Sequence, residues 1–227
     1  MGRGLVEPID DFRVTNPATN DPLLSYLATD LKAGKYDLKA LMREILVSDA
    51  YSRASQATPA NSRDNRYYSR FLVKRMSAES LLDAIDDVTG AKELFEGYPA
   101  GTRAVQLMDT SVGSFFLDSF GRPPRQTTCE CERSSEIGVS QTLHLINSPD
   151  IQDKLSSASG RVSNLNKRLL DPTALVDELF LTCFARYPNT KERTRSISYL
   201  IAGSDREHAA QDLLWAMINT TEFVFNH

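Results

Sequence analysis

Apolar residues recur at helical spacing along most of the chain, and this pattern predicts a mainly helical fold. Asp21 followed by proline is typical of a helix start, and Asp37 is typical of a second one. Because only a short connection separates the two runs, we expect an antiparallel helix pair. The apolar positions of the pair are Leu23, Leu24, Leu27 and Leu31, followed by Leu38, Leu41, Met42, Ile45 and Leu46.

The same spacing continues in the second half of the chain and predicts no strand. Ser77 and Gly90 are typical N-terminal and C-terminal boundary residues around one such helix. The further predicted helices cover 78–89, a stretch beginning near Ile137, 150–156, a stretch from Pro172, 191–202, and a last stretch that includes Ala210 to Ile218.

Residues 91–136 interrupt this helical pattern. Glycine and proline punctuate them without a sustained period, and a loop of this length is uncommon unless it is functional or contains short strands. We therefore expect an all-α protein, an irregular helical bundle formed by one domain over residues 1–227, with one long irregular loop region around residues 91–136.

Composition excludes several classes of protein. The hydrophobic and charged fractions, 41% and 25%, are those of an ordinary globular protein. The net charge of −4 argues against nucleic acid as a partner, and no apolar run is long enough to predict a membrane span.

Three cysteines and one histidine are candidate metal ligands. In an extended segment, Cys129 and Cys131 point to one side, where two thiolates can hold zinc or copper(I), with Cys183 and His144 completing the set. A disulfide between Cys183 and one of the pair, or buried structural thiols, are the alternatives, and His144 fits equally as a core residue. The haem-attachment pattern Cys-x-x-Cys-His is absent, so we expect no covalent haem.

Four arginines lie in or near the same irregular region and are candidate ligand-binding residues. Guanidinium groups gathered on a loop can bind sulfate, phosphate or carboxylate with paired hydrogen bonds. Alternatively, they pair with acidic neighbours and tie the loop to the body of the protein. The arginines are Arg103, Arg122, Arg125 and Arg133, and the acidic neighbours are Glu130, Glu132 and Glu136.

Two further clusters have a functional and a structural interpretation. Asp86 and Asp87 are adjacent on a predicted helix, which favours a solvated face over an acid–base pair. Tyr67, Tyr68 and Phe71 are candidates for a sugar-stacking platform or for ordinary packing.

Several blocks, in this order along the chain, resemble one known family. They are 2–12, 36–39, 75–84, 101–104 (Gly-Thr-Arg-Ala), 120–123 (Phe-Gly-Arg-Pro), 129–133 (Cys-Glu-Cys-Glu-Arg), 141–147, and 212–219 with 222–223 and 226–227. The chain resembles the C-terminal domain of unknown function of large planctomycete-type exported proteins, in which cytochrome-c-like and other helical domains precede it.

The resemblance implies an N-terminally truncated domain of a periplasmic or extracellular protein, in which a disulfide is allowed. It carries no activity over to individual residues. The companion domains suggest electron transfer or breakdown of complex, often sulfated, polysaccharide.

We therefore favour a non-catalytic interaction or structural module of an exported, cytochrome-c-associated protein. Its partner would be the upstream domains or another exported protein, with residues 120–133 at the contact. The alternative is an enzyme or binding domain acting on an anionic polysaccharide through the four arginines. A thiolate metal centre that assists electron transfer is the third hypothesis.

Overall fold

The computed structural model describes residues 2–9, 11–108, 110–123, 148–168 and 171–226. In this part of the chain the fold is mainly α, as predicted, with ten α-helices, a 3-10 turn at Ala104–Gln106 and one pair of short strands. None of the described helices combines the length and the apolar character needed to cross a membrane. The helices are α1 (Asp21–Ala33), α2 (Leu38–Leu46), α3 (Ala78–Thr89), α4 (Phe115–Ser119), α5 (Pro149–Leu155), α6 (Arg161–Lys167), α7 (Pro172–Phe184), α8 (Thr190–Ala202), α9 (Arg206–Ile218) and α10 (Thr221–Val224).

The chain divides into two compact units. Among the described residues, the first unit holds 2–75 and 225–226, and the second holds 76–123 and 148–224, with the gaps given above. A single domain can contain two such units, so one domain over 1–227 stays a prediction. The helix expected near Ile137 lies outside the described residues.

The first unit is built on the predicted helix pair. The Asn20 side chain accepts a hydrogen bond from the Leu23 N–H at 3.0 Å, so the N-cap of α1 is Asn20 and not Asp21. Asp37 caps α2 as predicted. The two helices pack against each other, yet neither contains a buried residue. In the same unit, β1 (Lys74–Arg75) pairs antiparallel with β2 (Phe225–Asn226).

The core of the second unit forms around α3 and α9. Helix α3 packs against the 3-10 turn, α4, α5 and α6, while α9 packs against α5 to α8 and α10. The apolar face predicted for α3 is buried, with Leu81 and Ile85 fully inaccessible, and Leu214 and Ile218 of α9 are equally buried. Burial of these side chains supplies most of the driving force for folding this unit.

Arg186, which follows α7, joins this helix to α8 and α10 in the second unit. Its Nε donates to Glu222 Oε1 at 2.6 Å and its Nη1 donates to Glu192 Oε2 at 2.9 Å. The guanidinium holds the pKa of Glu192 below its usual range. Glu192 also completes a capping box with Asn189, the N-cap of α8, and the helix begins at Thr190, one residue before the predicted range of 191–202.

The described part of the irregular region, residues 91–123, is fixed to α3 by carboxylates. Asp83 accepts hydrogen bonds from the N–H groups of Ala104 at 2.7 Å and Val105 at 3.3 Å. Asp86 accepts one from the Glu93 N–H at 2.7 Å. The region contains the 3-10 turn and α4, and its predicted remainder at 124–136 lies outside the described residues.

The prediction that Asp86 lies on a solvated face is wrong, because its exposed fraction is 4%. Lys154 of α5 balances its charge, with Nζ at 2.7 Å from Asp86 Oδ1 and 2.8 Å from Glu93 Oε2. Burial acts to lower the pKa of Lys154, but hydrogen bonds to the two carboxylates outweigh it and leave that pKa raised. Asp86 and Lys154 form a buried charge cluster between α3 and α5, with the half-buried Glu93 at its edge.

We predict that Lys154→Met destabilises the protein by about 3–5 kcal/mol, because Asp86 then stays buried without its cation. Urea unfolding followed by circular dichroism measures this loss. The exposed Lys191→Met serves as the control and stays within about 0.5 kcal/mol of the parent.

The double variant Lys154→Met/Asp86→Asn regains part of the loss, because the amide oxygen still accepts from Glu93 without a buried charge. Equal stabilities of Lys154→Met and Lys191→Met would contradict the role assigned to the buried charge cluster.

Candidate ligand cavity in the first unit

A cavity of about 440 Å³ opens in the first unit between the α1–α2 pair, the N-terminal segment and the segment around residues 50–68. This volume lies in the range of small-molecule sites. We call it the tyrosine cavity, after the four tyrosines in its lining. Its lining consists of Tyr26, Tyr51, Tyr67 and Tyr68, the apolar residues Leu5, Leu23, Leu27, Ile45 and Ala50, and the polar residues Arg3, Asn20, Glu44, Ser48 and Arg53.

A turn organised by Asp64 places two of the tyrosines. Asp64 Oδ1 accepts hydrogen bonds from the N–H groups of Arg66 at 2.9 Å and Tyr67 at 2.8 Å. Its Oδ2 accepts from both the hydroxyl and the N–H group of Ser69. The Ser69 hydroxyl is the largest cause that holds the pKa of Asp64 far below its usual range, so this carboxylate is charged at neutral pH.

Tyr68 is the most constrained of the four aromatic side chains. Its backbone has a positive φ of 57°, the left-handed conformation that non-glycine residues seldom adopt. Its hydroxyl donates to the Gly4 carbonyl at 2.7 Å and lies 2.9 Å from the Thr19 hydroxyl. These bonds attach the N-terminal segment to the Asp64 turn.

The N-terminal segment approaches the chain so closely that Gly2 admits no side chain. Its φ is +72°, and a Cβ there would lie 1.7 Å from the Leu72 carbonyl oxygen. This close contact positions Arg3, whose Nη1 donates to the Asn65 carbonyl at 2.9 Å. The Arg3 Nε is buried without a hydrogen-bond partner.

Tyr26 and Glu44 connect the two helices at the wall of the tyrosine cavity. The Tyr26 hydroxyl donates to Glu44 Oε1 at 2.7 Å, and this hydrogen bond raises the pKa of Tyr26. Among the described lining residues, Glu44 is the one carboxylate. The Glu44 carboxylate therefore joins α1 to α2 and also lies at the wall of the cavity.

Within the part of the chain that the structure describes, the two arginines of the cavity differ from Arg186, because neither has a carboxylate partner. Arg3 donates to the carbonyl of Asn65, and Arg53 Nη1 lies 3.4 Å from the carbonyl of Tyr68. The described lining thus combines two guanidiniums, one carboxylate and four tyrosines. This arrangement suits a ligand with flat apolar faces, hydroxyl groups and a negative charge.

Two of the predicted ligand-binding arginines instead carry internal ion pairs. Arg103 Nη2 donates to Asp87 at 3.1 Å, and its Nε lies 3.4 Å from Asp83. Arg122 donates to Asp118 at 2.7 Å and to the Val112 carbonyl at 2.9 Å. The acidic partners are therefore aspartates of α3 and α4. Arg125 and Arg133 lie outside the described residues.

Of the four candidate metal ligands, the described residues include Cys183. It is a half-buried free thiol on α7, and burial raises its pKa to about 12. Cys129, Cys131 and His144 lie outside the described residues. Within the described residues, no group of three histidine, cysteine or acidic side chains could hold a metal ion.

Sequence reasoning named Tyr67 and Tyr68 but missed the other lining residues. Arg3, Tyr26 and Arg53 are separated by more than twenty residues each, and no motif spacing joins them. The one available signal was the density of tyrosine and arginine between Tyr51 and Arg70.

A family model matches most of the chain. The family model PSD1, described as a protein of unknown function (DUF1553), matches residues 1–200. No curated protein and no solved structure matches the chain.

We predict that Asp64→Ala accelerates amide hydrogen exchange at residues 64–71 several-fold, because four hydrogen bonds to its carboxylate are lost. Exchange followed by mass spectrometry measures this effect, with Asp49→Ala as the exposed control in the same unit. The second unit should keep its exchange rates.

Acid should have the same effect in the parent protein. The folded pKa of Asp64 lies below its ordinary value of 3.8, so its carboxylate favours the ordered turn above that pH and loses this contribution as pH falls below it. Unchanged exchange at 64–71 in Asp64→Ala would show that other contacts hold the turn.

Proposed function

This chain belongs to the PSD1 family of proteins of unknown function, a membership that assigns no activity, and we propose from its cavity that it is a non-catalytic module that binds anionic polysaccharide. The observation that carries the proposal is the pairing of aromatic walls with guanidiniums that have no carboxylate partner among the described residues. Sugar rings present apolar faces to aromatic side chains, and sulfate or carboxylate substituents bind guanidinium groups.

The distribution of arginine partners favours this site over the irregular region. Arg103 and Arg122 donate hydrogen bonds to aspartates, so an anionic ligand would have to break existing ion pairs there. Arg3 and Arg53 donate to neutral carbonyl groups and keep their full charge available. An arginine with spare donors binds an anion without first losing a charged partner.

Binding rather than hydrolysis is supported by the carboxylate inventory of the cavity. Hydrolysis of a glycosidic bond ordinarily needs two carboxylates, roughly 5–9.5 Å apart. Glu44 is the one acidic side chain in the described lining, and it already accepts the Tyr26 hydroxyl. The cavity therefore holds the elements of recognition without a pair of acid and base.

The wider setting of the proposal comes from the resemblance described above. In this proposal, the chain is the C-terminal part of a planctomycete-type exported protein with a cytochrome-c-like domain upstream. Export of that protein would carry the module outside the cytoplasm. In that setting, the polysaccharide is available and the chain adds recognition to the functions of its neighbours.

We predict that the chain binds chondroitin sulfate and that Tyr67→Ala weakens binding about fivefold, equivalent to about 1 kcal/mol for one lost aromatic contact. Tyr67 is the most exposed of the four cavity tyrosines, with an exposed fraction of 76%. Isothermal titration measures the affinity. The control Tyr187→Ala removes a comparably exposed tyrosine from the second unit and should have no effect.

A charge series separates recognition from general attraction. Arg53→Gln should reduce affinity for chondroitin sulfate about tenfold, because a charge-assisted hydrogen bond is lost. Arg63→Gln removes the same charge from the same unit outside the lining and should leave affinity nearly unchanged. Equal losses in the two variants, or failure to bind chondroitin sulfate at all, would contradict the proposal.

A further inference from the structure

Helix α2 exposes an apolar stripe that nothing in the described residues covers. Leu38, Met42 and Leu46 have exposed fractions of 58%, 58% and 53%. Their spacing of four residues places them on one face, over a length of about 12 Å. We call these three residues the α2 stripe. Contiguous apolar surface of this kind is typical of interaction sites.

The stripe borders the tyrosine cavity on α2 but shares none of its lining residues. Glu44 and Ile45 line the cavity, and Glu44 is bonded to α1 through Tyr26. At 100° per residue, Ile45 lies about 20° from Leu38 at the border between the two surfaces, while Glu44 lies more than about 100° from all three residues of the stripe. A ligand in the cavity and an occupant of the stripe therefore need not compete for the same side chains.

A basic edge borders the stripe. Lys39 and Arg43 are one helical turn apart, next to Leu46 on the helix circumference, and both are exposed. Neither makes an ion pair within the part of the chain that the structure describes. Residues 1–75 contain twelve lysine and arginine residues against nine acidic ones, a charge of +3, whereas the whole chain carries −4. The surroundings of the stripe thus favour an acidic occupant.

The same charges disfavour an antiparallel second copy of α2 as the occupant. In an antiparallel two-fold pairing, each edge of a helix meets the same edge of its partner. Lys39 and Arg43 would then face their own copies, and like charges repel across such a contact. An occupant with acidic residues beside its apolar face meets the stripe and its edge together.

We infer that the α2 stripe docks an amphipathic helix of a partner protein, with the apolar face of that helix bordered by glutamate or aspartate. Met42 at the middle of the stripe supplies an adaptable apolar contact, as methionines do on many helix-binding surfaces. Lys39 and Arg43 set the preference for acidic flanks and the orientation of the docked helix.

The test uses two synthetic amphipathic peptides with leucine on the apolar face, one with glutamate flanks and one with lysine flanks. Fluorescence anisotropy should show that the full chain prefers the glutamate peptide. Met42→Glu should weaken that binding about tenfold, because it places a charge in the apolar contact. Ile201→Glu alters a comparably exposed apolar residue on α8 and should change nothing.

Charge reversal tests the specificity directly. Lys39→Glu/Arg43→Glu should shift the preference toward the lysine peptide, a result that simple loss of folding cannot produce. Tyr67→Ala should leave peptide binding unchanged, and Met42→Glu should leave chondroitin sulfate binding unchanged, so the two proposals fail separately.

Two outcomes would overturn the inference. One is equal affinity for the two peptides, or no binding of either. The other is concentration-dependent dimerisation in analytical ultracentrifugation that Met42→Glu abolishes, since the stripe would then belong to a second copy of the chain.

Discussion

The fold of the second unit depends on one requirement. The buried carboxylates on α3 must receive hydrogen bonds. A helix that carries Asp83 and Asp86 into the interior folds stably only if each carboxylate finds partners, since unpaired buried charge costs several kcal/mol. Backbone N–H groups of the irregular region and the ammonium of Lys154 supply them. The irregular region thus follows a fixed path, because its backbone N–H groups donate hydrogen bonds to the carboxylates of α3.

The first unit is organised in the opposite way, with polar ties and little burial. Its helices contain no buried residue, and its loops are held by Asp64, by the Tyr68 hydroxyl and by the close contact at Gly2. Among the described residues, charged groups there form fewer internal ion pairs, and Arg3 and Arg53 donate to carbonyl groups instead of carboxylates. The surface that we propose for ligand recognition therefore lies where, in the described part of the chain, the fold leaves charged groups unpaired and aromatic side chains exposed.

Local sequence predicted the helices well, because apolar spacing and capping residues act within a few positions. Ser77, Gly90 and the face through Leu81 and Ile85 illustrate this. The same local reasoning placed Asp86 in solvent, since only a lysine 68 residues away explains its burial. It also omitted α6, where a short polar stretch becomes helical because Val162 and Leu165 pack into the core. The tyrosine cavity needs residues from four distant segments, and no local pattern joins them.

Helix α2 links the two surfaces for which we propose ligands, and its sequence shows how one helix can serve both. An apolar arc wide enough for a core helix is divided between Ile45, which lines the cavity, and Leu38, Met42 and Leu46, which are left exposed. A helix that needed this arc for stability would bury it against its own chain. Leaving the arc open keeps that apolar area available for binding, where its burial contributes about 25 cal/mol per Å² before the free-energy cost of association is subtracted.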